Sequence, residues 1–493
     1  MSEQQQSYRQ IMKATSIFGG VQVVQILVQI IRSKVVAVLL GPAGMGINSL
    51  LNSTLGLMQG LTNFGLKTSA VKNVAEAHGT NNAKRVAVIV VVLKRWVWIT
   101  GLLGTILTIV LAPWLSRMTF GNSDYSLAFI WISVSLLFNQ LSAGQLVLLQ
   151  GLRKLKYLAN ANLTGAFLGL LVAVPLYYAW GIDGIVPAII ATSVMNMLRS
   201  WYFARKVPIE PEKVSPQQTL QEGKKMLTMG FMISLSGLMT LGTAYLLRIY
   251  ISNTGGLDDV GLYGAGFAII NTYVGMVFTA MGTDYYPRLS AVAADNSKAT
   301  ETINQQAEIS LLILSPILVI FMVFINWAVI LLYSNQFTPV NGMIQWAAMG
   351  MYFKAASWAV AFLFLAKGAS KIFFWNEFIT NIYLLGFNVL GYRIGGLDGL
   401  GISFLVSYLF YLVQVYIIAA RFYQFSFTIH FVKLFGIQLL LGLNGFLIVK
   451  FVAQPYAYLA GSVIILLSSL YSLRELNKRI DLKKMVKFNK LKI

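Results

Sequence analysis

Apolar runs long enough to cross a bilayer follow one another along the chain, separated by short polar connections. A hydrocarbon layer of roughly 30 Å asks for about 20 apolar residues in a helix, and that length recurs here. The pattern predicts spans near 13–40, 45–66, 88–112, 126–150, 158–179, 185–206, 226–250, 262–287, 304–332, 341–366, 372–392, 399–420, 431–452 and 455–473, fourteen in all. The first follows Arg9 and Lys13, is longer than a signal-peptide core and has no clear small-residue cleavage site, so it reads as an uncleaved span.

Polar residues inside these runs carry the next layer of information. Arg32 lies nine residues before Gly41, the expected outer end of the first span, which puts it roughly 13 Å below the surface. Gln22, Gln25, Gln29 and Arg32 follow a 3, 4, 3 spacing and fall within roughly 80° of one helix face. In the second span Asn48, Asn52, Gln59 and Asn63 share a face in the same way. Such stripes either pack against polar groups of neighbouring helices or line a wet pathway, and the buried arginine favours the pathway. These seven amides are therefore expected to line a cavity. The segment Lys72 to Arg85 reads as a short interfacial helix and turn.

The longest polar connection, 207–223, carries Pro208, Pro211 and Pro216 among charged residues. It predicts a linker between an amino-terminal lobe, 1–206, and a second lobe, 224–425, followed by two further helices over 426–473 and a basic tail, 474–493. Landmarks repeat across it: Arg32 and Arg248, Gly46 and Gly261, Lys72 and Arg288, Gly151 and Gly368, Lys154 and Lys371, Asp183 and Asp398 are separated by 215 to 217 residues. The last pair sits in matching turns, Gly181-Ile-Asp-Gly184 and Gly396-Leu-Asp-Gly399. A duplicated unit of six spans inserts the same way up twice. The expected fold is an all-α polytopic membrane protein of two six-helix bundles related by a pseudo-twofold axis, with two extra carboxy-terminal spans.

Composition agrees: 57% of the 493 residues are hydrophobic and 11% charged. The net charge of +21 is topological rather than a sign of nucleic acid, because alternate loops hold nineteen Lys and Arg against two, Arg117 and Arg393, in the others. The positive-inside rule then places both termini in the cytoplasm, with the basic tail against anionic head groups. With no cysteine and two histidines, both in loops, neither a metal centre nor a histidine or cysteine catalyst is expected.

Further cations lie at membrane depth. Arg248 sits near the outer end of the seventh span, where it faces a cavity or snorkels to head groups. Lys354 is thirteen residues into the tenth span, about 20 Å from its end, too deep to snorkel. It either pairs with an acid, Glu377 or Asp284, or faces the cavity. Cations outnumbering acids make an electropositive chamber suited to an anion, and arginine forks match phosphate oxygens.

Several segments in order, Lys34 to Gly46 (KVVAVLLGPAGMG), Gly121 to Tyr125 (GNSDY), Gly151 to Arg153, Ser334 to Thr338 (SNQFT), Lys354 and Ala366 to Glu377 (AKGASKIFFWNE), carry a likeness over some 400 residues. The chain resembles the Wzx-like polysaccharide flippases, of the superfamily that also holds the multidrug and toxin exporters and the lipid II flippase. The resemblance implies alternating access by two bundles and export of undecaprenyl-pyrophosphate-linked oligosaccharide, such as an O-antigen or other lipopolysaccharide repeat unit, across the bacterial inner membrane. It implies basic substrate-binding positions at Lys34, Arg248 and Lys354, and at Lys72 and Arg153 toward the cytoplasm; Arg32 comes from the helical face alone. Membrane lipids and other polysaccharide assembly proteins are the further partners expected. No nucleotide-binding motif is evident, so export is expected to draw either on a coupling ion, proton or sodium, with Glu377 or Asp284 as the candidate acid, or on consumption of the product outside. An ion-coupled multidrug exporter is the alternative, and a membrane-embedded polymerase or acyltransferase a third; the short outer loops offer little room for an enzyme site.

Overall fold

The computed structural model describes residues 3–79, 82–210 and 212–480, with side chains from Val24 onward except at positions 229, 232, 233, 273, 280, 283 and 480. The Gln22 side chain and the basic tail past 480 lie outside the described residues. Helices fill the chain: α1 (Glu3–Thr62), α2 (Leu66–Gly79), α3 (Ala83–Phe120), α4 (Ser126–Gly151), α5 (Leu155–Trp180), α6 (Ile185–Arg205), α7 (Pro216–Gly255), α8 (Leu257–Phe267), α9 (Met276–Val292), α10 (Asn296–Leu332), α11 (Asn341–Ala366), α12 (Ser370–Tyr423), α13 (Ile429–Phe451) and α14 (Tyr456–Ile480). Side chains cap several of their starts: Asn82 accepts the Arg85 amide, Ser215 that of Gln218, Asp295 those of Ser297 and Lys298, and Thr428 that of Phe431.

Ten helices among the described residues are long and apolar enough to cross a membrane. Three of them, Val24–Thr62, Leu155–Arg205 and Ser370–Tyr423, each hold two predicted spans joined across a break. The breaks fall at Gly41 just before Pro42, at the 3-10 turn Gly181–Gly184, and at Gly395 and Gly396. The predicted span 226–250 lies within α7. The interfacial helix starts earlier than the Lys72–Arg85 pattern suggests. Gly65, at φ 63°, turns the chain, and its amide is held by the Asn63 carboxamide at 2.7 Å, so α2 begins at Leu66.

The chain divides into two compact units, Met1–Gly261 and Leu262–Ile493. In the first, α7 is fastened to α3 along its length. Arg85 pairs with Glu222 at 2.6 Å, Arg95 donates to the Val214 carbonyl and the Thr219 hydroxyl, and the Tyr245 and Thr119 hydroxyls share a hydrogen bond at 2.6 Å. The connection 207–223 thus lies inside this unit, with Val207 and Val214 buried in its core.

The backbone repeats itself at one constant offset. Gly41 (φ 65°, ψ −171°) and Gly256 (φ 89°, ψ −177°) are 215 residues apart, and so are Gly181 (φ 56°, ψ −128°) and Gly396 (φ 54°, ψ −134°). Arg153 and Gly368, at φ 55° and 65°, follow the same offset, as do the helix-start residues Lys154 and Ala369, whose backbones nearly coincide. These conformations correct the pairing read from residue type. Gly368 answers to Arg153 rather than Gly151, and Arg248 answers to Ser33 rather than Arg32. Gly46 and Gly261 pack reciprocally: a β-carbon on Gly46 would strike the Leu257 carbonyl, and one on Gly261 the Pro42 carbonyl, which is the same contact 215 residues on.

In the second unit α13 and α14 pack on α10. Gly442 seats against the Tyr352 ring, Gly461 against Val323, and Phe324 stacks on Tyr458. At the far end Arg479 bridges Glu308 of α10 at 2.7 Å and Glu475 of its own helix at 2.9 Å, all three nearly enclosed. Arg479→Ala leaves Glu308 buried without its cation. It should lower stability in a denaturation assay by about 3 kcal/mol, and the double variant Glu308→Met/Arg479→Met should recover most of that loss.

Candidate functional site

Lys354 occupies the middle of α11, an apolar helix whose neighbours on the same turns, Met351, Tyr352, Ala355 and Ala356, are buried. Its ammonium donates to the Asn271 carboxamide oxygen at 3.0 Å and lies over the rings of Tyr408, at 5.0 Å, and Phe404, at 5.7 Å. Asn271 stands in a π-helical segment, Ala268–Val274, between α8 and α9. An extra residue in a turn re-aims side chains there, and such segments recur at functional sites. No carboxylate among the described residues lies within ion-pairing distance of Lys354. Of the two alternatives, the pairing with Glu377 or Asp284 is not made; an amide and two aromatic faces take that place. These neutral partners solvate the ammonium and leave its charge uncancelled, so the site can attract an anion.

On α12 a second polar cluster joins the two arms of the helix. Glu377 accepts from the Tyr411 hydroxyl at 3.2 Å and from Asn376 at 3.3 Å, while Gln414 donates to Asn376 at 2.8 Å and to Thr380 at 3.3 Å. The Tyr411 ring meets the Tyr408 ring edge-on at 6.1 Å, which connects this carboxylate to the Lys354 group. Asp284 is different. It is 83% exposed on α9 and faces Arg288 one turn on, at 3.8 Å.

In the first unit Arg248 donates to the Ser49 hydroxyl at 3.2 Å and to the Ala244 carbonyl at 2.9 Å, which holds it to the arm of α1 after Gly41, beside Asn48. Asn52 bonds back to both oxygens of Asn48, so two members of the predicted stripe solvate each other. Asn63 serves the turn into α2. Gln25 and Gln59 are half-buried and Gln29 is exposed. Arg32 is half-buried, and no hydrogen bond or ion pair reaches it among the described residues. Lys34, two residues on, helps line an apolar groove of about 570 Å3 with Val174, Pro175 and Tyr178 of α5. Lys72 is exposed on α2 and pairs with Glu76, and Arg153 is exposed in the turn before α5.

The residues that complete the Lys354 group, Asn271, Phe404 and Tyr408, were not among those expected. Asn271 leaves a signal as an amide within the apolar run from Phe267 to Val277. Tyr408, Tyr411 and Gln414 recur every three residues on one helical face and face Asn376 and Thr380, four apart, on the other arm.

The sequence profile of a family described as polysaccharide biosynthesis protein matches residues 35–341. The lipid III flippase of Escherichia coli K12 is 22% identical over 353 residues, 70% of this chain and 82% of the relative. A Shigella flexneri protein provisionally named as an O-antigen transporter is 24% identical over 381 residues, 74% of this chain and 87% of its own length. Among solved structures, the lipid II flippase MurJ in an inward closed conformation superposes with a TM-score of 0.69 at 12% identity, over 95% of this chain and 99% of that one. The last likeness establishes a shared all-helical fold.

Proposed function

Because the chain belongs to the polysaccharide biosynthesis protein family, we propose that it is a flippase carrying undecaprenyl-pyrophosphate-linked oligosaccharide, an O-antigen or similar repeat unit, from the cytoplasmic to the outer leaflet of the bacterial inner membrane. It is a multi-pass transporter and not an enzyme. The observation that carries this reading is Lys354: a cation in the middle of a span, held by an amide and aromatic rings with no acid among the described residues to neutralise it. A drug exporter selecting organic cations has no use for that charge, whereas a pyrophosphate does. Lys354 contacts the pyrophosphate in the second unit. Within the first unit by itself, Arg248 and Arg32 are positive charges that suit an anion, and the amides of α1 suit a glycan. Both termini are cytoplasmic, following the basic loops.

Movement against a gradient draws on a proton or a sodium ion at Glu377, whose carboxylate accepts hydrogen bonds from the Tyr411 hydroxyl and the Asn376 amide. The test is reconstitution in liposomes with a fluorescent polyprenyl-pyrophosphate oligosaccharide. Wild type should speed its exchange between leaflets. Failure with correctly inserted lipid across a range of glycans would sink the reading. Glu377→Gln should keep equilibrating exchange but lose accumulation under an imposed sodium or proton gradient; accumulation equal to wild type would remove Glu377 from coupling.

A further inference from the structure

Away from the Lys354 group, α4 is the floor of a groove walled by α3 and α6, with a volume of about 540 Å3. That is the size of ligand pockets generally. Gly144 keeps the floor low, since a side chain there would strike Val97. On α4 the groove runs from Leu137 to Leu148, which is about 16 Å of helix. This is about half of a ~30 Å hydrocarbon layer, so the groove follows one leaflet. Its end at Leu148 and Trp201 lies next to the basic connections at 151–157 and 199–225, which marks the cytoplasmic leaflet.

The lining is apolar apart from Lys94 and Gln145, and it contains no carboxylate. Trp201 stands at the rim, 44% exposed, as indoles do at a membrane interface. The Arg205 guanidinium lies over the Trp201 ring at 4.7 Å, adding a second cation beside the mouth.

We propose that this groove holds one anionic phospholipid of the cytoplasmic leaflet, with an acyl chain along Leu141 and Gly144 and its phosphate drawn to Lys94 and Arg205. A zwitterionic lipid gains less from two cations beside a lining that holds no carboxylate. A polyprenyl chain, longer than a leaflet, overruns a groove of this length, so the occupant is distinct from the transported lipid. The proposal is independent of what the protein carries and rests only on its membrane-spanning fold and the sidedness of its basic loops.

The full-length protein would be purified in detergent with equal amounts of phosphatidylglycerol and phosphatidylcholine of identical chains, and retained lipids counted by native mass spectrometry. Wild type should keep one phosphatidylglycerol in preference. Lys94→Gln should weaken its retention about fivefold, the effect of one lysine near an anionic head group. Leu141→Trp, which fills the groove, should abolish it. If that variant fails to fold by gel filtration, Leu198→Trp at the rim takes its place. Equal retention of the two lipids by wild type, or unchanged retention in both kinds of variant, overturns the proposal. Displacement of the phosphatidylglycerol by added polyprenyl phosphate also overturns it, and assigns the groove to the substrate's tail.

Discussion

Lys354→Met should lose flipping by about tenfold to hundredfold, the worth of one hydrogen bond to a charged group, while the protein stays as stable as wild type or becomes more so. The two halves of this expectation have one cause. An ammonium in the middle of a span costs desolvation energy that its neutral partners, Asn271, Phe404 and Tyr408, offset only in part. Replacing it with an apolar side chain of similar length removes that cost and the anion's counter-charge together. Lys354→Glu should be worse than Met for transport, because it repels the pyrophosphate outright. Lys354→Arg should retain part of the activity. The measurement pairs leaflet exchange of the fluorescent lipid-linked oligosaccharide with thermal unfolding of the same preparations. A Lys354→Met protein that flips normally would remove the residue from the site; one that has lost both flipping and stability would make it a structural lysine.

The spans were legible in the sequence because burial in a bilayer imposes a composition over a length, and both can be read without knowing what touches what. All fourteen predicted spans fall on helices, and the breaks between fused pairs fall at Gly41, Gly181 and Gly396, where a backbone with positive φ requires glycine. The duplication was legible for the same reason at Gly46 and Gly261. It slipped by one or two residues at the basic landmarks, as at Arg32 with Arg248 and Lys154 with Lys371, since a long side chain reaches one place from neighbouring positions; the short Asp183 and Asp398, in matching turns, kept the 215-residue offset. The site was half legible. Lys354 and Glu377 announce themselves as ionisable groups inside apolar runs, but Asn271 is 83 residues from Lys354, and helical periodicity says nothing about which helix lies opposite. The Asn48 and Asn52 pair shows the opposite limit. Periodicity placed them on one face, but it does not say that the Asn52 amide donates to both oxygens of Asn48.

Gly46→Val and Gly261→Val should each destabilise the protein by about 3 kcal/mol or more, the upper range for overpacking, and each should do so for the same contact seen from its two sides. At this point the arm of α1 after Gly41 and the start of α8 approach backbone to backbone, with Gly46 over the Leu257 carbonyl and Gly261 over the Pro42 carbonyl. A flexible side chain can move aside for a new methyl group, but a carbonyl within a helix cannot do so without moving its hydrogen-bonded turn. The residues that aim the two helices into this contact are equally constrained. Gly41 and Gly256 adopt φ 65° with ψ −171° and φ 89° with ψ −177°, a region that is essentially glycine's alone, so alanine at either should cost about 1–3 kcal/mol. Gly56 on the same arm of α1 is the control, because a β-carbon there meets nothing within 4 Å. Gly56→Ala should be neutral or stabilising by up to about 1 kcal/mol through helix propensity. The quantity to compare is the thermal midpoint of the detergent-purified variants. Equal midpoints for Gly46→Val and Gly56→Ala would mean that the reciprocal contact does not hold the two helices together. A large loss for Gly46→Val that Gly261→Val does not share would mean that the repeated halves, alike in backbone, carry unequal weight in joining the helices.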